Sequence, residues 1–154
     1  MKAMKYRFVK ALADDVARLM IKYLKSKLKT GNLKFETLTV TAVPLYPQRL
    51  NWRGFNQSEI LAQAISRHFG WSLDLTLLRR IRNPKPQAKI IERAQRIQNI
   101  AGAFSCPKPE AVWGQTVLLV DDIATTGSTL DDCARALKGA GAVEVIGFVF
   151  ARGK

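Results

Sequence analysis

Val117-Leu118-Leu119-Val120-Asp121-Asp122-Ile123-Ala124-Thr125-Thr126-Gly127-Ser128-Thr129 is the stretch on which the reading of this chain turns. The unbroken apolar run Val117 to Val120 lacks the polar alternation of a strand with one wet face. It marks instead a strand buried on both sides within a parallel sheet. Two adjacent carboxylates follow it, then a turn rich in hydroxyls around Gly127, and Ser128 to Lys138 reads as a helix closed by Gly139 and Gly141. In open parallel sheets the ligand crevice lies at the carboxyl ends of the strands. A helix N-terminus at that place offers free N–H groups and a partial positive charge to a phosphate. Gly127 lets the backbone approach closely, and Thr125, Thr126, Ser128 and Thr129 add hydroxyl donors. Ionised, Asp121 and Asp122 only accept hydrogen bonds, which suits vicinal sugar hydroxyls or the water shell of a Mg²⁺ ion. Together these residue types describe a site for a phosphorylated sugar. A plain strand–turn–helix needs neither paired acids nor so many hydroxyls.

On either side of this stretch, strand and helix patterns alternate. Val143 to Phe150 reads as a last strand, and Thr37 to Val43, rich in β-branched residues, as an early one ending at Pro44. Leu45 to Phe55 reads as irregular, with Pro47 and Gly54 inside it. Gln57 to Phe69 carries Leu61, Ile65 and Phe69 on one helical face and stops at Gly70; Ser72 to Leu78 reads as a further strand. A helix is expected around Arg93 to Ala101, and Pro107 and Pro109 mark a loop. Near the start, Leu12, Val16, Leu19, Met20 and Tyr23 recur at three- and four-residue spacing from Phe8 to about Leu28, with Lys22, Lys25 and Lys29 on the other side: an amphipathic helix ended by Thr30-Gly31-Asn32. The alternation predicts one α/β domain over residues 1–154, a mostly parallel sheet flanked by helices, with residues 1–34 as a basic N-terminal helical region.

Composition narrows the function. The 154 residues are 47% apolar, enough for a sizeable core. Cys106 and Cys133 cannot make a disulfide framework or supply a four-ligand zinc site, and His68 is the lone histidine, so a His-rich metal centre is excluded. No uninterrupted apolar run reaches the roughly 18 residues of a membrane span, and Met1 to Lys10 lacks a signal peptide's apolar core, so a cytoplasmic protein is expected. The net charge is +13, and it is uneven. Residues 1–34 carry ten basic and two acidic side chains, residues 35–100 ten and four, and residues 101–154 five and six. Between Lys108 and Arg135 stand five acids and no base, an acidic island that contains Asp121 and Asp122. A basic surface of this kind attracts polyanions. Arg79 to Arg96 holds seven basic residues with Pro84 and Pro86, long and polar for a connector, as functional loops are.

At all 13 positions, Val117 to Thr129 resembles the phosphoribosyl pyrophosphate (PRPP) signature of type I phosphoribosyltransferases. Val43-Pro44-Leu45-Tyr46-Pro47-Gln48-Arg49 and Arg53-Gly54-Phe55-Asn56-Gln57-Ser58 resemble the ComF-type (competence protein F, GntX-like) branch, as do Gln87, Arg96-Ile97-Gln98-Asn99 and Gly102-Ala103-Phe104. That branch usually opens with a cysteine-rich zinc module, which this chain is expected to lack, and often has Thr where Pro84 stands here. The resemblance implies a single-domain type I phosphoribosyltransferase fold with a flexible hood loop. It implies that Asp121 and Asp122 engage the ribose 2′ and 3′ hydroxyls as the catalytic pair, and that Ala124, Thr125, Thr126, Gly127, Ser128 and Thr129 hold the 5′-phosphate. The loop after the first strand, about Pro44 to Arg49 with Leu45 inside it, would bind pyrophosphate, and about Arg79 to Arg96 would be the hood. Arg49, Arg53, Arg79, Arg82, Lys85 and Lys89 suit that dense anion through charge-assisted hydrogen bonds.

The expected function is binding of PRPP with Mg²⁺ held mainly through the substrate, and transfer of the phosphoribosyl group to an unidentified nitrogen acceptor with release of pyrophosphate. The alternative is a non-catalytic PRPP- or nucleotide-sensing module that binds single-stranded nucleic acid, in line with the branch's association with DNA uptake and with the +13 charge. A homodimer is a further expectation. His68, beside Phe69 and Gly70, reads as an ordinary helix-end residue, Cys133 as a buried thiol, and Trp52 and Phe55 as loop anchors.

Overall fold

The pleat of the expected central strand sorts the core into two halves. Val117, Leu118, Leu119 and Val120 are all fully buried. Leu118 and Val120 join one apolar cluster, Val117 and Leu119 the other, as a period of two demands of a strand covered on both faces. The computed structural model describes residues 2–31, 38–45, 47–82 and 102–153, without the side chains of residues 2–11, 49, 52 and 53. In chain order its elements are α1 (Lys2–Lys29), β1 (Thr39–Ala42), α2 (Pro47–Arg53), α3 (Gln57–Phe69), β2 (Ser72–Leu73), β3 (Arg79–Arg80), β4 (Phe104–Ser105), β5 (Thr116–Ala124), α4 (Ser128–Gly139) and β6 (Glu144–Arg152).

The main sheet runs β2-β1-β5-β6, and every neighbouring pair in it is parallel. Thr39 to Ala42 lie opposite Val117 to Val120, so β1 and β5 end side by side. α1 and α3 cover one face through Ala17, Met20, Leu24, Leu61, Ala62 and Ile65; α4 covers the other through Cys133 and Leu137. This is the three-layer α/β architecture that the alternation predicted. Among the described residues, no helix is long and apolar enough to cross a membrane.

Four expectations change in detail. The inward stripe of α1 is Ala13, Ala17, Met20 and Leu24, while Leu12, Leu19 and Tyr23 are 54%, 58% and 56% exposed. Small alanines let α1 approach α3 closely, and the larger side chains turn toward β6, where Tyr23 stacks on Phe148 at 6.3 Å. Leu45 to Phe55 is not irregular throughout. Pro47 opens the seven-residue helix α2, since its fixed φ suits a first helical position, and Gly54 (φ +81°) follows it. The strand expected over Ser72 to Leu78 shrinks to Ser72–Leu73, because Asp74 Oδ1 accepts from the Thr76 N–H (2.8 Å) and hydroxyl (2.6 Å) and turns the chain. Arg79 and Arg80 are not loop residues either: as β3 they pair antiparallel with β4. The helix expected around Arg93 to Ala101 lies outside the described residues.

Candidate functional site

β5 carries Asp121 and Asp122 past the end of its buried run, and the strand continues through Ala124 before Thr125, Thr126 and Gly127 turn into α4. Gly127 takes φ +82°, a left-handed conformation that side-chain-bearing residues rarely adopt. It is the N-cap of α4, and no side chain caps the helix from that position, so the first turn keeps N–H groups to offer. The Thr126 and Ser128 hydroxyls lie 2.7 Å apart, and the Ser128 N–H donates to Thr126 Oγ1 at 3.3 Å. Asp121, Ala124, Thr125, Thr126, Gly127, Ser128 and Thr129 line one cleft of about 80 Å³, the volume of a single small anion. Every position expected to hold a 5′-phosphate is in that lining.

Asp122 lines a second cleft. This one, about 190 Å³, is mainly apolar and bordered by Leu12, Val16, Leu61, Ile123 and Phe150, with Gln57 at its edge. The adjacent carboxylates therefore line two different clefts, one polar and one apolar, which share Ile123.

Asp121 is held firmly. Its Oδ1 accepts from Ser58 Oγ at 2.7 Å and from the Asp122 N–H at 2.9 Å. Burial pushes its carboxyl up to about 6, opposed by those two hydrogen bonds and reinforced by the neighbouring charge of Asp122. Burial likewise raises the Cys133 thiol, which is fully buried in α4 and inert as a nucleophile.

The remaining expected positions fall in three places. Pro44 and Leu45 leave β1 directly beside the site, where the Val43 N–H donates to the Val120 carbonyl at 3.0 Å. Arg49 and Arg53 stand one turn apart on α2 rather than in a loop. Lys85 and Lys89, with Gln87 and the rest of the expected hood beyond Arg82, lie outside the described residues.

Three supporting groups were not among the expected site residues: Ser58, which donates to Asp121, and the two that follow. Asn56 caps α3, its Oδ1 accepting from the Ser58 N–H while its Nδ2 donates to Glu59 Oε1; an Asn with Glu three positions on is the sequence signal of such a cap. Asp132, 4% exposed, accepts from the N–H groups of Gly102 (2.8 Å), Ala103 (2.8 Å) and Phe104 (3.2 Å) and from Arg135 (2.9 Å). No local pattern distinguishes Asp132 from its exposed neighbour Asp131.

Residues 56–154, from the α3 cap through the carboxylate pair to the last strand, match the family model described as the phosphoribosyl transferase domain. The chain belongs to that family. Within it, this phosphoribosyltransferase domain is 34% identical over 137 residues to DNA utilization protein YhgH of Escherichia coli, covering 87% of the chain and 58% of that relative. It is 33% identical over 132 residues to Competence protein F of Haemophilus influenzae (84% and 56%), and 30% identical over 135 residues to Competence protein ComFC of Streptococcus pneumoniae (88% and 56%). The chain thus spans somewhat over half the length of the curated relatives it matches. Among solved structures, the glutamine PRPP amidotransferase of B. subtilis, complexed with ADP and GMP, superposes with a TM-score of 0.58 at 20% identity, over 92% of this chain and 26% of that one. An allosteric regulatory enzyme of purine biosynthesis gives 0.52 at 24%, over 87% and 25%. At such identities the likeness establishes the type I phosphoribosyltransferase fold.

Proposed function

We propose that the chain binds PRPP together with Mg²⁺ and transfers its phosphoribosyl group to a nitrogen nucleophile. The observation that carries this reading is the small polar cleft shared by Asp121 and the Thr125–Thr129 turn, with the apolar cleft on Asp122 next to it. The turn and the α4 N-terminus suit the 5′-phosphate, Asp121 and Asp122 accept from the ribose hydroxyls, and the apolar cleft bordered by Ile123 and Phe150 is the space offered to the acceptor. Among the described residues no three His, Cys, Asp or Glu side chains cluster, so a Mg²⁺ ion here would take its ligands chiefly from substrate oxygens and water. When bound, it would neutralise charge building on the leaving pyrophosphate.

In the step itself, the bond from the anomeric carbon to the pyrophosphate oxygen breaks and its electron pair leaves with pyrophosphate. The acceptor nitrogen's lone pair forms the new C–N bond, and that nitrogen gives up a proton to solvent. Positive charge developing on the sugar ring is stabilised by the two carboxylates. Pro44, Leu45, Arg49, Arg53, Lys85 and Lys89 belong to this proposal as the pyrophosphate-binding set, supported by the position of Pro44 and Leu45 at the end of β1. The test is calorimetry with PRPP and Mg²⁺, followed by pyrophosphate release across a panel of bases. Asp121→Asn with Asp122→Asn is expected to weaken binding at least tenfold, since hydrogen bonds to charged groups carry roughly 1.5–3 kcal/mol. Undetectable PRPP binding by the unaltered chain rejects the reading.

A second reading has its own support: the +13 charge, the exposed Lys22, Lys25 and Lys29 of α1, and relatives named for competence and DNA utilization. On this reading the same fold senses PRPP or a nucleotide and binds single-stranded nucleic acid, in the cytoplasm, beside a DNA-uptake apparatus. Salt-sensitive binding of single strands that survives the double Asp→Asn change, without turnover, would favour it. A homodimer is compatible with both readings.

A further inference from the structure

Asn56 and Ser58 close a ring of hydrogen bonds around the ends of β1 and β5. The Val43 N–H donates to the Val120 carbonyl at 3.0 Å, and the Val43 carbonyl accepts from Asn56 Nδ2 at 3.0 Å. Asn56 Oδ1 accepts from the Ser58 N–H at 3.1 Å, and Ser58 Oγ donates to Asp121 Oδ1 at 2.7 Å. Asp121 follows Val120 in the chain, which completes the circuit. Both linking residues are almost wholly buried, Asn56 at 3% exposure and Ser58 at 4%. Burial of this degree makes loss of a partner costly to the Asn56 and Ser58 side chains, since little water can reach them in its place.

The placement of Ser58 is informative. A serine in the first turn of a helix ordinarily serves that turn, but here Asn56 already caps α3. The Ser58 hydroxyl is spent across the fold instead, on a carboxylate 63 positions later. Asp121 Oδ1 is thereby held by two donors, which fixes the plane in which its other oxygen meets a ligand. The Asn56 amide, meanwhile, holds the last carbonyl before Pro44, where the chain leaves the sheet.

We propose that Asn56 and Ser58 are positioning residues: they lock Asp121 to the backbone leaving β1, so that the acceptor of the sugar hydroxyls and the segment beside the leaving group keep one fixed geometry. This rests on the reading of the site as a PRPP site. The groups facing Asp121 are Ser58 from α3, Asp122 on its own strand and the Cys133 thiol from α4.

Calorimetry with PRPP and Mg²⁺ over a pH series tests the proposal. Ser58→Ala is expected to bind about tenfold more weakly, and its pH midpoint of binding to move upward, because a donor favouring the ionised carboxylate is gone. Ser58→Thr, which keeps the hydroxyl, is expected within about threefold of the parent. A helix-packing role alone would leave the midpoint where it was. Should the alanine variant unfold, Ser58→Cys, similar in volume with a weak donor, takes its place. Parental affinity and midpoint in the variant, or failure of Ser58→Thr to rescue, overturns the proposal. If the parent chain binds no PRPP, it is the site reading that fails. Carbon-13 NMR titration of the Asp121 carboxyl in the ligand-free protein then decides separately: a midpoint raised by Ser58→Ala supports the lock, and an unmoved one overturns it.

Discussion

Burial and a neighbouring charge lift the Asp121 carboxyl from 3.8 to about 6, so the folded protein holds this proton more tightly than the unfolded chain does. The direction of the linkage follows. Below about pH 4 both states are protonated and the group contributes nothing; stability then falls as pH rises toward 6, and above that the loss is constant, on the order of 2–3 kcal/mol. Asp121→Asn keeps an acceptor for Ser58 without the buried charge. It is expected to be more stable than the parent at about pH 8, with the gain gone by about pH 4, as urea unfolding at the two pH values would measure. The same carboxylate would thus weaken the fold while serving the site, a trade expected where a sequence breaks a local rule for function. Most of the candidate site was legible because the chemistry it offers is local: paired acids, hydroxyls and a glycine within a few positions. Ser58 was not, since its role depends on which strand end lies against the start of α3, and a hydroxyl near a helix start looks the same whether it caps or crosses.

Among the elements, α4 carries two duties on one short rod. Its N-terminus opens onto the polar cleft, and one turn further in Asp132 gathers three successive N–H groups at the start of β4. Asp132→Ala leaves those donors unpaired, the Ala103 and Phe104 N–H groups in buried surroundings; a loss of about 2–4 kcal/mol in urea unfolding is expected, against less than about 0.5 kcal/mol for the exposed Asp131→Ala. Equal effects of the two changes would remove the anchoring role of Asp132. Elements were legible wherever periodicity and punctuation agreed. α3 begins after Asn56 and stops at Gly70, which takes φ +69°, and β5 fills its expected apolar run. They were misread where a competing local preference won: Pro47 starting α2 inside a stretch read as irregular, Asp74 bending the chain out of β2, Ala13 and Ala17 taking inward positions on α1 that Leu12 and Leu19 do not.

For the molecule as a whole, a net +13 confined mostly to the first 100 residues means that folding concentrates like charge. Raising salt from about 10 to about 100 mM shortens the Debye length from roughly 30 to roughly 10 Å, so thermal melts should shift upward by a few degrees over that range. A melting temperature that falls with salt would point instead to net favourable surface pairing. The two-stranded ribbon of β3 and β4 has a different kind of consequence. The Ile81 N–H donates to the Ala103 carbonyl at 2.7 Å, so the chain departs after Arg82 and re-enters at Gly102 from neighbouring points on the body. For ends held this close, the entropy of closing the interval grows slowly with its length, by only about 0.6 kcal/mol for each doubling. A longer interval between Arg82 and Gly102 would therefore cost the sheet and its carboxylates little in stability, which makes that doorway a place where one scaffold can take on an added segment.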